Sequence, residues 1–203
     1  MSDDVHTVNT EPSRPYHHGN LRDALLAEGL RLLEEQDAAH VGLREVARRV
    51  GVSPTAVYRH FPNKEALLAA LAASGFRQLA EVQAAAIGDQ VTRASFNAMG
   101  RAYVRFALRN PALFRLMYSA ANPVRGEAVD PTLRPSTGLR TAVDALLGPE
   151  ATAAAKRTMA LRAWALVHGL SLLLLDGHVK VADKELDAFI DASVEGSGLS
   201  TGL

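Results

Sequence analysis

The polar-tipped side chains Thr55, Tyr58, Arg59 and His60 crowd into one short segment, with Ser53 and Pro54 just ahead of them. Hydroxyl, imidazole and guanidinium groups are the ones that meet phosphate oxygens and base edges. The flanking sequence, LREVARRVGVSPTAVYRHFPNKE from 43 to 65, supplies a scaffold for them. Leu43, Val46, Ala47 and Val50 fall at i, i+3, i+4 and i+7, one apolar face of a short helix. Gly51 suits the exit of that helix, and Val52 points back into the same core. Ser53 can cap the next helix, and Pro54 fits its first turn, where no amide donor is needed. That second helix, Pro54 to about His60, buries little beyond Val57 and Ala56, so its polar flank faces outward. A short helix held by a neighbour and offering such a flank is the layout of a helix-turn-helix, which points to duplex DNA.

Charge is distributed to match. The 203-residue chain carries 22 Lys and Arg against 22 Asp and Glu, a net of zero. From Arg14 to Lys64 there are eight basic and six acidic residues, a net of +2, and from Val46 to Lys64 the formal charges are Arg48, Arg49, Arg59 and Lys64. The segment facing DNA is basic although the molecule is neutral, and a few such groups supply most non-specific affinity. There is no cysteine, which removes disulfides, zinc ribbons and thiol chemistry. No basic patch followed by an apolar run opens the sequence, so no signal peptide is expected and cytoplasmic residence follows. The most apolar run, Ala163 to Leu175, is thirteen residues long against the ~20 that span a bilayer, and reads as a buried helix.

The remaining elements are helical. Residues 1–15 are polar and aperiodic and are expected to be a disordered arm. Asn20 can cap a first helix, Leu21 to about Gln36, with Leu25, Leu26, Leu32 and Leu33 as its buried stripe. Asn63 can cap a fourth, carried by Leu68, Leu71, Leu79 and Val82 to about Ala86 and stopped by Gly88-Asp89. Phe96, Met99, Tyr103 and Phe106 form the stripe of a fifth, beginning near Thr92. Asn110-Pro111 breaks it and starts a sixth, Ala112 to Tyr118. Residues 121–131 read as a loop. Leu139, Val143, Leu146 and Leu147 carry a seventh helix to Gly148. The longest helix is expected from Glu150 to about Asp176, and Phe189 and Ile190 anchor the last, Asp183 to about Glu195. No segment alternates with period two, so the fold class is all-α, with about nine helices. The organisation expected is a helix-turn-helix head at 16–63, a helical body at 64–195 and a flexible tail at 196–203.

Taken together, LREVARRVGVSPTAVYRHFPNKEALL and the Leu- and Ala-rich helix before it resemble the TetR/AcrR family of transcriptional regulators, over about residues 19–70. Farther on, PALFRLMY (111–118) and WALVHGL (164–170) are similar to a subgroup whose C-terminal domain carries a Trp, His and Gly signature. The resemblance implies a homodimer on a palindromic operator. Each subunit would hold a three-helix DNA-binding head and a divergent helical body with a small-molecule pocket. It assigns DNA contacts to Arg44, Ser53, Pro54, Thr55, Tyr58, Arg59, His60 and Lys64. Tyr58 and His60 match the family's phosphate-contacting pair, and Lys64 lies where the fourth helix begins. Arg44 is the candidate base reader, since arginine can bond guanine through two donors. Arg48 and Arg49 either supplement backbone contacts or simply solvate their helix. Arg14, His17 and His18 could form an arm reaching the minor groove.

In the body, Tyr103, Phe106, Phe114, Met117, Trp164 and His168 are the candidate pocket residues for a small, largely apolar effector. Their alternative is a plain core with His168 bonded internally. Gly169 and Ser171 allow close approach of another helix, and the apolar surplus Leu170 and Leu172 to Leu175 suggests a subunit seam made by the last two helices of each protomer. The reading that follows is a repressor released by its ligand. A second reading keeps the head and drops the ligand, leaving a DNA-binding helical protein that acts through protein partners. No HExxH, P-loop or GxGxxG occurs, and His168, Asp176 and His178 match no ligand spacing, so neither an enzyme, a metal site nor a cofactor is expected.

Overall fold

A computed structural model describes residues 21–36, 38–119 and 136–194. The expectations for Asn20, the arm with Arg14, His17 and His18, the loop 121–131 and the tail 196–203 lie outside those residues. Among the described residues there are nine helices and no strand: α1 (Leu21–Glu35), α2 (Leu43–Val50), α3 (Pro54–Tyr58), α4 (Lys64–Ile87), α5 (Arg93–Arg109), α6 (Pro111–Tyr118), α7 (Thr137–Leu147), α8 (Ala153–Leu175) and α9 (Asp183–Val194).

Local chemistry sets most of these boundaries. Gly51 ends α2 in the left-handed region, φ 78°, and its amide donates to the Ala47 carbonyl. Ser53, Asn63 and Thr92 each accept an amide from the first turn of the following helix, capping α3, α4 and α5. Thr92 and Ser95 complete a reciprocal capping box.

Several elements differ from expectation. The α-helical part of α3 stops at Tyr58, and Arg59 and His60 sit in the turn that follows, where the amides of His60 and Phe61 both reach the Val57 carbonyl. The α4 stripe does not include Val82, which is 41% exposed, because Gln83 takes the inward position beside it. Proline starts α6 at Pro111, in its first turn. Thr152 caps α8, so that helix runs Ala153–Leu175 rather than from Glu150, and at 23 residues it is one shorter than α4 at 24. Leu146 and Leu147 are half-buried, and α9 is anchored by Leu186, Ile190 and Val194, with Phe189 only half-buried.

The apolar run in α8 is not a buried helix within one chain. The whole helix is long and apolar enough to cross a membrane by length and composition, and 28% of its apolar window is buried. Its inward side, Ala160, Ala163, Val167, Leu170 and Ser171, packs on α5 and α7. Leu161 and Leu173 stand exposed on the other side.

One core joins the two ends of the molecule. It runs from Leu25, Leu32, Val46 and Val57 through Leu67 and Leu71 of α4 to Phe114 and Met117 of α6 and on to Ile190 of α9. Helix α6 packs against both α4 and α1. The approach to α4 is close because Gly75 has no side chain: a Cβ there would lie 2.6 Å from Met117 Sδ and 3.0 Å from Leu113 Cγ. A smaller cluster, Phe96, Met99, Leu139, Ala142, Val143, Ala160 and Ala163, closes the far end.

Helix α9 is docked by charge as well as by its apolar stripe. Arg101 pairs with Asp191, and Arg105 pairs with both Asp187 (2.7 Å) and Asp183 (3.2 Å). These arginines and aspartates each repeat at i+4, on α5 and α9. Hydrogen bonding to Arg105 holds the Asp187 carboxyl below its ordinary value of 3.8. A carboxylate with a depressed folded-state pKa contributes stability above the unfolded value, and that contribution fades as pH falls through the folded value. The pair is half-exposed, so its worth is at most about 1 kcal/mol. Asp187→Asn is therefore expected to lose less thermal stability than the parent between neutral pH and about pH 3. Parallel melting curves for the two proteins would reject the coupling.

Candidate nucleic-acid interface and aromatic cluster

Val57 is the residue that ties α3 down. It is fully buried, while Ala56 is half-buried and Ser53, Pro54, Thr55, Tyr58, Arg59 and His60 are exposed. Tyr58 is 45% exposed. Arg44 lies in the first turn of α2. The polar flank of α3 and the two cations Arg44 and Arg59 are thus exposed, and among the described residues neither cation has a hydrogen-bond or ionic partner. The Ser53 hydroxyl also has a local task, accepting the Ala56 amide at 3.3 Å.

The other cations of this region are engaged inside the protein. Arg49 reaches Glu35 at 2.6 Å, Glu45 at 3.0 Å and Glu28 at 3.4 Å, so it clamps α2 onto α1. Arg48 pairs with Glu45 at 2.6 Å. Hydrogen bonds from Arg48 and then Arg49 hold the Glu45 carboxyl at about 2. Arg49 likewise holds Glu35 below the usual carboxylate range. Neither arginine is a free phosphate donor in this arrangement. The Lys64 ammonium donates to the Ala39 carbonyl in the turn before α2, so it faces the protein rather than solvent alone.

In the body, the candidate pocket residues largely converge. Phe114 and Met117 are fully buried and Tyr103 nearly so, while Trp164 and His168 are half-buried. The Phe114 and His168 rings lie 5.5 Å apart, Trp164 and His168 5.6 Å, and Tyr103 and Phe114 5.7 Å. Phe106 is buried, but among the described residues no ring contact joins it to this group. The sequence reading missed Tyr118, which is central: its ring lies 4.5 Å from His168, 5.0 Å from Phe114 and 5.4 Å from Phe76. Its position four residues after Phe114 was the available signal, since residues at that spacing share a helix face.

The Tyr103 hydroxyl is the polar centre of the cluster. It donates to the Tyr118 hydroxyl at 3.0 Å, receives the Trp164 Nε1–H at 3.4 Å and lies 2.9 Å from His168 Nδ1. Burial pushes the His168 pKa down, keeping the ring neutral, and burial first and Tyr118 second push the Tyr103 phenol up. Asp176, Gly177 and His178 do not join this group. Asp176 caps α8 and pairs with Arg115, and Gly177 turns the chain at φ 72°. Among the described residues no group of three or more His, Cys, Asp or Glu could hold a metal ion.

A family model for bacterial regulatory proteins of the tetR family matches residues 25–71, which is α1 to the first turns of α4. A second model, for the tetracyclin repressor-like C-terminal domain, matches residues 96–196. The chain belongs to the TetR family. An HTH-type transcriptional regulator of Mycobacterium tuberculosis is 33% identical to this TetR-family chain over 98 residues, which is 47% of the chain and 42% of that regulator. A nucleoid occlusion factor of Aliivibrio fischeri is 32% identical over 103 residues, 48% of the chain and 51% of that protein. The matches thus span about half or less of these relatives' own length. Among solved structures, a protein of unknown function from Rhodococcus sp. RHA1 superposes with a TM-score of 0.66 at 34% identity, covering 91% of the chain and 97% of that protein. A TetR family transcription regulator from Marinobacter aquaeolei VT8 shares the fold, with a TM-score of 0.56 at 18% identity over 85% of the chain and 92% of that regulator.

Proposed function

We propose that this TetR-family protein is a cytoplasmic, homodimeric, sequence-specific DNA-binding regulator, a repressor that a small, largely apolar ligand releases from a palindromic operator. The observation that carries the reading is the exposed flank of α3, with Thr55, Tyr58, Arg59 and His60 outward and Val57 inward. In this reading 16–63 is the DNA-binding head and 64–195 the effector and dimerisation body. The first turn of α3 (Ser53, Pro54, Thr55) meets the groove, Tyr58 and His60 meet phosphate, and Arg44 reads a base edge. Lys64 reaches phosphate by leaving the Ala39 carbonyl. The regulators of this family are not enzymes, and no reaction is assigned to the chain.

The seam for a second copy is supported by the outer side of α8, where Leu161 and Leu173 are exposed and a Cβ at Gly169 would meet nothing within 4 Å. Pairing must hold two copies of α3 ~34–36 Å apart to enter successive major grooves. A ligand that favours another spacing weakens DNA binding by its differential affinity for the two states. Tyr103, Phe114, Met117, Tyr118, Trp164 and His168 offer it largely aromatic walls around a polar centre at the Tyr103 hydroxyl.

Selection of bound sequences from random duplex DNA tests this reading. A palindromic motif is expected from the parent protein. Arg44→Ala is expected to relax preference at one position per half-site and to weaken binding by about 1–3 kcal/mol. Recovery of no motif would overturn sequence-specific regulation, and an unchanged motif from the variant would remove Arg44 as the reader. The similarity to a nucleoid occlusion factor favours a second reading, DNA binding without a small ligand. Thermal shift across hydrophobic compounds separates the two, since saturable stabilisation requires a ligand site.

A further inference from the structure

The basic segment of the head has fewer available cations than its composition suggests. Arg31, Arg48 and Arg49 are paired with carboxylates and Lys64 with a backbone carbonyl. Outside the helix-turn-helix, Arg22 stands differently. It is exposed in the first turn of α1, and among the described residues it has neither a hydrogen-bond nor an ionic partner. A cation at a helix N-terminus opposes the macrodipole, so this position does not serve the stability of α1. The Arg22 guanidinium instead lies over the Phe61 ring, 5.5 Å from its centroid. Phe61 is 2% exposed and its amide bonds the Val57 carbonyl at 2.9 Å, so its place relative to α3 is fixed. A ring face can hold a guanidinium in place and leave it N–H donors for two-point contact with phosphate.

We propose that Arg22 of each subunit is a DNA-phosphate ligand outside the helix-turn-helix, held over Phe61 beside the C-terminal end of the recognition helix. The inference rests on the reading of the protein as a DNA-binding regulator. In helix-turn-helix docking the N-terminal residues of the recognition helix meet base edges while a preceding helix crosses the backbone. Arg22 lies at the opposite end of α3 from Ser53 and Thr55, next to Tyr58, Arg59 and His60 through Phe61. Its contact therefore adds affinity without sequence preference.

The test is the salt dependence of binding of the full-length protein to a mixed-sequence duplex. Arg22→Met keeps an apolar stem over Phe61 and removes the charge. Its log–log slope is expected to fall by about 0.9 per bound head, roughly 1.8 for a dimer, with Arg22→Lys restoring most of it. The Arg22→Met motif from random-sequence selection is expected to match the parent's. A parent-like slope in Arg22→Met, or an altered motif with the slope intact, overturns the proposal. Should Arg22→Met fail to fold, phenylglyoxal modification of the parent decides: DNA is expected to protect Arg22, and equal modification with and without DNA overturns the contact. Loss of affinity in Arg44→Ala alone defeats this inference and leaves the regulator reading intact, whereas a parent protein with no salt-dependent DNA binding defeats both.

Discussion

Val57→Asp is expected to abolish DNA binding while leaving the body folded. Val57 is fully buried and is the buried residue of the five-residue α3. A carboxylate at that position would be buried in the apolar cluster that also holds Val46, Ala47 and Phe61. Leaving a buried charge unpaired costs about 3–5 kcal/mol. So short a helix has little intrinsic stability to resist that cost, and it undocks. Affinity for DNA should fall by at least about a hundredfold, because each 1.4 kcal/mol is a factor of ten. The molecule carries its own control. Its single tryptophan, Trp164, lies on α8 in the aromatic cluster, so its fluorescence reports the body and not the head. Parent-like DNA affinity in Val57→Asp would mean that α3 is not the surface that meets DNA.

The head was legible in the sequence because its determinants are local. Gly51, Ser53 and Asn63 act on the turn next to them, and the Leu43, Val46, Ala47 face needs no knowledge of distant residues. The charge pattern was not legible in the same way. Counting Arg48 and Arg49 as part of a basic surface ignored Glu28 and Glu35, which are 21 and 14 residues from Arg49 in sequence and meet it across the α1–α2 contact. Local spacing could have revealed Glu45, three and four residues before the two arginines, as a competitor for both. The same blindness hid the α5–α9 ladder, although Arg101, Arg105 and Arg109 and Asp183, Asp187 and Asp191 each stand at helical spacing. Each stripe alone reads as a solvated face. Only the antiparallel packing of the two helices makes them partners.

The apolar end of α8 was misplaced for a related reason. Hydrophobicity says that a face will be covered and does not say by what. The inward side finds α5 and α7, whereas Leu161 and Leu173 stay exposed. In the aromatic cluster, Trp164 and His168 were recognisable by their shared helix face, but their meeting with Tyr118 depends on where α6 lands. That placement is set by Gly75, whose missing side chain admits Met117 and Leu113 against α4. A glycine in mid-helix costs helix propensity, and here close packing of α6 is what it permits.

Phe114→Ala should show how far the cluster depends on that packing. Phe114 is fully buried and its ring contacts Tyr103, Tyr118 and His168. Truncating a buried phenylalanine to alanine costs about 3–5 kcal/mol, through lost transfer energy and the cavity left behind. For a chain of this size the melting temperature should drop on the order of 10 °C. The void would open beneath α6, between Tyr103 of α5 and His168 of α8. Because α6 also packs on α1 and α4, its loosening reaches the helices that carry the head, and DNA affinity should fall with stability. An apolar void of this kind admits a small aromatic solute, so benzene is expected to restore part of the lost stability saturably. The parent, with the ring in place, should gain less from the same compound. A melting temperature unchanged by Phe114→Ala would show that the ring is not packed as described. A full loss that benzene cannot reverse would show that α6 collapses into the space, and that the cluster is rigid core rather than a site able to exchange one aromatic group for another.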